Sequence, residues 1–342
     1  MEKQENILTE QVSFAKVLKN WADDYSQNKE QGIKTFLVSK LDETLSDNKI
    51  IDGQKVSDII ISEIDCYEQS KQDIQNAIES GESKEEWMST ILLQETEGLG
   101  KEEQKKVLGT LHNGLMENMD IPVEQVQGEE NAPLQSSLIA KSVSNLATGR
   151  VMQVLSDESE VEKKEDVGYS DFVEEALKDN SDTELKAMAS GVMVVLHKMG
   201  KLPLIPQTAP IQAVVNVACF AVDHAKTVTQ IARKEISLTE GLSRIARDSF
   251  AAIRGILRGG HGKFTAEGIV EALPILEKPM ALVNKISQGI TNLIGDERVQ
   301  EKIGMVREQI IPVAQNFARE FVQTSISVVK SVASKITNFL FG

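Results

Sequence analysis

His112, His197, His224 and His261 are the residues with which this sequence could hold a metal or pass protons near neutral pH. A helical two-metal carboxylate site needs a Glu three residues before each ligating His, so that both project from one helix face. Gly109, Val194, Ala221 and Arg258 stand in those places, and no His-Glu-x-x-His pair occurs. Ligands would have to be gathered from distant segments, so neither a metal nor another cofactor is expected.

Nucleophile patterns are missing as well. There is no Gly-x-Ser-x-Gly elbow, no Cys-x-x-Cys pair and no Gly-x-Gly-x-x-Gly loop, so no catalytic residue is assigned. Gly259-Gly260-His261-Gly262-Lys263 resembles a phosphate loop only superficially, because Leu257 and Phe264 occupy the positions that such a loop gives to Gly and to Ser or Thr. Asp223 beside His224 is the one titratable couple set against an apolar run. Adjacent residues diverge by ~100° on a helix and need not share a site. Cys66 and Cys219 read as buried free thiols of a reducing compartment.

The sharpest chemical feature is cationic. Arg244, Arg247, Arg254 and Arg258 fall within about a quarter-turn of one another on a helical wheel, opposite Leu242, Ile245, Ala246, Ile253, Ile256 and Leu257. With His261 and Lys263 just beyond, they form a candidate anion- or lipid-binding face. The plainer use of the stripe is pairing with acidic residues of the same chain. Aromatic residues do not accompany the arginines, which argues against stacking on single-stranded nucleic acid.

These residues require helices to position them. Ala, Val, Ile, Leu, Lys and Glu dominate and aromatics make up only 4% of the 342 residues, a composition that favours an all-α fold. Ile211 to Val222 is apolar on nearly every face and must be covered all round. It is too short to cross a bilayer, which needs ~20 residues. Ser237 with Glu240 is a capping box that starts the cationic helix, and Gly259-Gly260 ends it. Upstream, Ser181 with Glu184 is expected to cap a helix over 185–199, with Val192, Val195, Leu196 and Met199 inward. That helix and the one over 210–234 can pair as an αα-hairpin.

The earlier part of the chain predicts five helices. The first carries the stripe Phe14, Leu18, Trp21 and Tyr25; the third turns Val56, Ile59, Ile60, Ile64, Tyr67, Ile74 and Ile78 inward; Ser83 with Glu86 is expected to cap the fourth. The sequence thus predicts an acidic helical bundle over 1–118, a linker over 119–168 with one helix near 133–155, and a C-terminal helical domain over 169–342 with the hairpin, the cationic helix and a long amphipathic tail. Pro274, Pro279 and Gly295 should punctuate the helices after 262, and Asp296 should cap the last element. In that tail Phe317, Phe321, Val328, Val332, Ile336 and Phe339 form a candidate apolar interaction face.

The net charge of −15 is unevenly placed. Residues 1–200 hold 20 Lys and Arg against 40 Asp and Glu, whereas residues 201–342 hold 17 against 12. An acidic balance argues against general nucleic-acid binding. The first residues carry no cationic start or apolar run of a signal peptide, and no run reaches 18 apolar residues, so a cytoplasmic protein, peripheral to a membrane at most, is expected. The functional expectation is a non-enzymatic helical protein acting by association of its C-terminal half with an anionic membrane surface, an acidic protein partner or partner helices, homo-oligomers included. Two alternatives are a membrane-permeabilising protein stored in soluble form and a helical hydrolase with dispersed ligands.

Overall fold

A computed structural model describes residues 14–45, 54–81, 84–118, 169–178, 182–277 and 279–306. These residues fold as helices, with no strand among them. In chain order they are α1 (Phe14–Gln27), α2 (Gly32–Thr44), α3 (Val56–Glu79), α4 (Lys84–Thr96), α5 (Lys101–Asn118), α6 (Asp171–Lys178), α7 (Thr183–Lys198), α8 (Ile211–Ala232), α9 (Leu238–Arg258), α10 (Ala266–Glu277), α11 (Pro279–Asn292) and α12 over 297–306.

The α7–α8 hairpin is the centre. Every residue of α7 from Leu185 to His197 is buried, as is nearly all of α8, which is where two helices without a polar face must lie. The two run antiparallel. Asp182 at the start of α7 reaches Lys226 late in α8 at 3.4 Å, and His197 at the end of α7 meets the Ala209 carbonyl just before α8 at 3.1 Å. Helices α1 and α2 pack on α7, α9 and α11 pack on α8, and α3 touches both members of the hairpin as well as α9. Helix α5 packs against α10 at the edge. One hydrophobic cluster runs without interruption from Ala15 in α1 to Ile294 after α11, so helices on both sides of 119–168 share a core. The linker and its helix near 133–155 lie outside the described residues, as do the Ser181 and Ser83 caps.

The aromatic stripe of α1 is core. Trp21 and Tyr25 meet Phe36 of α2 edge-on at 6.1 and 5.2 Å, Tyr25 meets Phe172 of α6 at 5.5 Å, and its hydroxyl donates to Glu184 at 2.9 Å. Such T-shaped pairs add to the burial of the rings themselves. Trp21 also sits over Gly191, where α1 crosses α7 so closely that a Cβ would lie 2.7 Å from the indole.

Several local expectations need correcting. Met199 and Ile78, placed inward by periodicity, are 41% and 40% exposed, because each stands at or just past the end of the helix that would have turned it in. Cys66 is exposed, lying on the outer side of α3, whereas Cys219 is buried. Helix α10 runs through Pro274 to Glu277 instead of stopping at it. The carbonyl that Pro274 leaves without a helical donor belongs to Val270, which is among the exposed residues of that helix. Ser237 caps α9, its Oγ accepting from the Glu240 amide at 3.1 Å, but the Glu240 carboxylate turns to Arg244 at 2.7 Å rather than closing a capping box. Asp296 caps α12 through the Arg298 amide at 2.9 Å. Gly259, at φ +49°, ends α9.

Candidate functional site

The apolar cores of α7 and α8 each contain one out-of-place charge, Lys186 and Asp223, and the hairpin brings them together. Lys186 Nζ lies 2.7 Å from Asp223 Oδ1 and 3.1 Å from Asp182 Oδ1, and it also pairs with Glu68 of α3. From the same turn of α3, Lys71 reaches the other Asp223 oxygen at 2.6 Å, and the buried Tyr67 hydroxyl donates to that oxygen at 2.9 Å. Both ammonium groups lie over the Tyr67 ring, at 5.4 and 5.5 Å from its centroid. Helix α9 adds Asp248, paired with Arg247 at 2.7 Å, and Arg247 also donates to Gln75 of α3 at 3.2 Å. Glu68, Asp182, Asp223 and Asp248 thus balance Lys71, Lys186, Lys226 and Arg247 where four helices meet.

The electrostatics fit a structural network. Burial pushes the Asp223 carboxyl up, but Lys186 and Lys71 outweigh it and hold the group well below the usual carboxylate range. Burial pulls Lys186 down, and Asp223, Asp182 and Glu68 more than reverse that, so the ammonium stays charged. A lysine nucleophile or base needs the opposite shift. Burial raises the Cys219 thiol and the Tyr67 phenol, which keeps both protonated. Oxygens of Glu68, Asp182 and Asp223 lie within 4.8 Å of one another, a spacing that could hold a cation, and the Lys186 ammonium fills that place. The arrangement holds Lys71, Lys186 and Asp223 charged in place.

The couple Asp223 and His224 is buried but divided. Asp223 faces α3 and α7, while His224 Nδ1 lies 3.0 Å from Ser287 Oγ of α11.

The arginine face of α9 meets the acidic helices. Arg254 gives Nε and Nη2 to Glu95 Oε1 of α4 at 2.9 and 2.5 Å, and Nη1 to Asp73 of α3 at 3.0 Å and to the Ser70 hydroxyl at 3.3 Å. Arg258 donates through Nε to Glu95 Oε2 at 3.1 Å and through Nη2 to Oε1. Burial raises the Glu95 carboxyl, and its bonds to Arg258 and Arg254 outweigh this and leave it below its ordinary value. The Arg254 side chain is 11% exposed and that of Arg258 23%. Arg244, at 36%, pairs with Glu240 and donates to Gln230 at 3.1 Å. His261 and Lys263 are exposed on the turn after α9. Phe317, Phe321, Val328, Val332, Ile336 and Phe339 lie outside the described residues.

Sequence reasoning missed Lys186, Lys71, Glu68 and Glu95. For Lys186 a signal existed: a basic residue in one fully apolar helix and an acidic one in the next must find each other, since either alone would be an unpaired buried charge. No family model, curated protein or solved structure matches this chain.

Proposed function

We propose that this chain is a non-enzymatic helical protein that works by association, its C-terminal half engaging an anionic membrane surface through the cationic face of α9. On this reading the acidic side chains of α3 and α4 that meet the arginines, Asp73 and Glu95, compete with the membrane for that face. The observation that carries it is the meeting of Arg254 and Arg258 with Glu95 and Asp73, which puts anionic groups on the face that the sequence singles out as anion-binding. Among the described residues no helix is long and apolar enough to cross a membrane, which fits surface engagement. Residues 169–342, with the segment bearing Phe317 and Phe339, supply the apolar side of that association.

The test is co-sedimentation with neutral and anionic vesicles across a salt series, comparing the wild type with a variant carrying Arg244, Arg247, Arg254 and Arg258 as Gln. Binding that requires anionic lipid, weakens with salt and disappears in the variant is expected. Failure of the wild type to bind anionic vesicles at low salt sinks the membrane reading and turns the search to an acidic protein partner or a second copy of the chain.

A second reading, membrane permeabilisation by a stored hairpin, is favoured by one observation: α7 and α8 are buried on all faces at the centre of the fold. Dye release from anionic vesicles separates it from surface binding.

A further inference from the structure

We infer that Arg254 and Arg258 form a site for a phosphate group of a lipid headgroup, and that Glu95 is a built-in stand-in occupying it. The inference rests on the membrane reading above and names the chemistry that the face recognises.

Two guanidinium groups converge on one carboxylate here, each giving two N–H groups to it. Arg254 gives both groups to Oε1 and Arg258 spans Oε1 and Oε2, and such charge-assisted donors suit the oxygens of a carboxylate or of a phosphate. The Ser70 hydroxyl and Asp73 both accept from Arg254 Nη1, at 3.3 and 3.0 Å, and hold that guanidinium in place through a nitrogen that Glu95 does not use.

The occupant sits on a short helix. Among the described residues, α4 meets the body through Ile91, Leu92 and the buried Thr96 and through its contacts with α3. Its neighbour α3 is anchored in the hairpin, and α9 lies on α8. The two arginines therefore stand on a helix packed against the hairpin, and Glu95 on one packed against α3. The Glu95 side chain is only 11% exposed, so a ligand cannot add to the arginines without moving it. Apparent affinity for an external phosphate is then reduced by the fraction of molecules in which Glu95 has left.

The experiment measures binding of the full chain to vesicles of phosphatidylcholine with and without phosphatidylglycerol, for the wild type, Glu95→Gln, Glu95→Asp, Arg254→Gln with Arg258→Gln, and Arg244→Gln. Glu95→Gln is expected to tighten binding to the anionic vesicles by on the order of tenfold. Glu95→Asp, which keeps the charge but withdraws it by one methylene, should fall between it and the wild type. The Arg254/Arg258 variant should bind more weakly than the wild type, and Arg244→Gln, on the same cationic face but outside the clamp, should weaken binding by less. Far-ultraviolet circular dichroism and a cooperative melt check that each variant is folded.

If the wild type binds anionic vesicles and neither Glu95 variant differs from it, the stand-in inference is overturned and the membrane reading survives. If no form binds vesicles, the membrane reading falls and the lipid is overturned as the source. Inorganic phosphate at matched ionic strength then decides the rest. A higher melting temperature for Glu95→Gln that is absent from the Arg254/Arg258 variant leaves a free-phosphate site, and no shift overturns the site altogether.

Discussion

Lys186 Nζ and Asp223 Oδ1 stand 2.7 Å apart on neighbouring helices, and the lysine side chain is completely buried. Four more charged or phenolic groups from α3 and the start of α7 close around the pair, so neither charge has water to return to if its partner is lost. Removing one partner of such a pair is costly, because the other remains desolvated and uncompensated.

Lys186→Met is accordingly expected to lower stability by about 3–5 kcal/mol in urea unfolding. Adding Asp223→Asn should recover part of that loss, since it removes one of the acids left in excess. A double variant no better than the single one would show that the two charges are not coupled.

Acid should tighten the fold before loosening it. Burial and the neighbouring Asp223 push the Asp248 carboxyl up to about 6, against Lys71 and Arg247. Its unfolded value is about 3.9, so between those values the folded chain binds the extra proton. The contribution of Asp248 therefore grows as pH falls from above 6 towards 4, by up to about 2 kcal/mol. Asp182, also raised by burial and Asp223, acts in the same direction. Asp223 and Glu95 are held low, so the stability they give is present above about 4 and is lost below it. Urea midpoints at pH 7 and 5 should show the rise, and Asp248→Asn should flatten it. A steady decline from pH 7 to 5 in the wild type contradicts this assignment.

At the crossing of α8 and α9, a Cβ added to Gly255 would fall on the Asn216 carboxamide. Gly255→Ala is expected to destabilise by about 1–3 kcal/mol through overpacking. Asn216→Ala combined with it should recover stability relative to the sum of the single changes. Strict additivity in this double-mutant cycle would mean that the crossing does not depend on that contact.

The two thiols should be told apart by a disulfide-forming reagent. Cys66 is exposed and Cys219 is buried with its thiol held protonated. One thiol per chain is expected to react in native buffer and two in denaturant. Modification of Cys219 under native conditions would mean that the α7–α8 hairpin opens on the timescale of the assay.

Much of the helical content was legible because periodicity and caps are local. Leu18, Trp21 and Tyr25, the Ser237 cap and the Asp296 cap all stand where their neighbours in sequence dictate. Contacts between remote helices were not. Arg254 meets Asp73 across 181 residues and Lys186 meets Glu68 across 118, and nothing within a helical window says which face will lie opposite. The stripe on α9 was therefore visible as a stripe, while Glu95 was one acidic residue among many. The apolar run of Ile211 to Val222 and the apolar periodicity of 185–199 pointed to the hairpin, but they did not reveal that its polar residues form a single seam from Asp182 through Lys186 to Asp223.

Tyr25 donates to Glu184, a residue 159 positions later, and the ring partners of Tyr25 include Phe172. Synthesis at ~5–20 residues per second separates the appearance of these two sides by on the order of ten to thirty seconds. Throughout that interval the aromatic side of α1 has emerged without the hairpin that will cover it. The newborn chain thus presents Trp21 and Tyr25 as a sticky surface to whatever is nearby, and helper proteins that bind exposed apolar segments should meet α1 well before the hairpin that covers it exists.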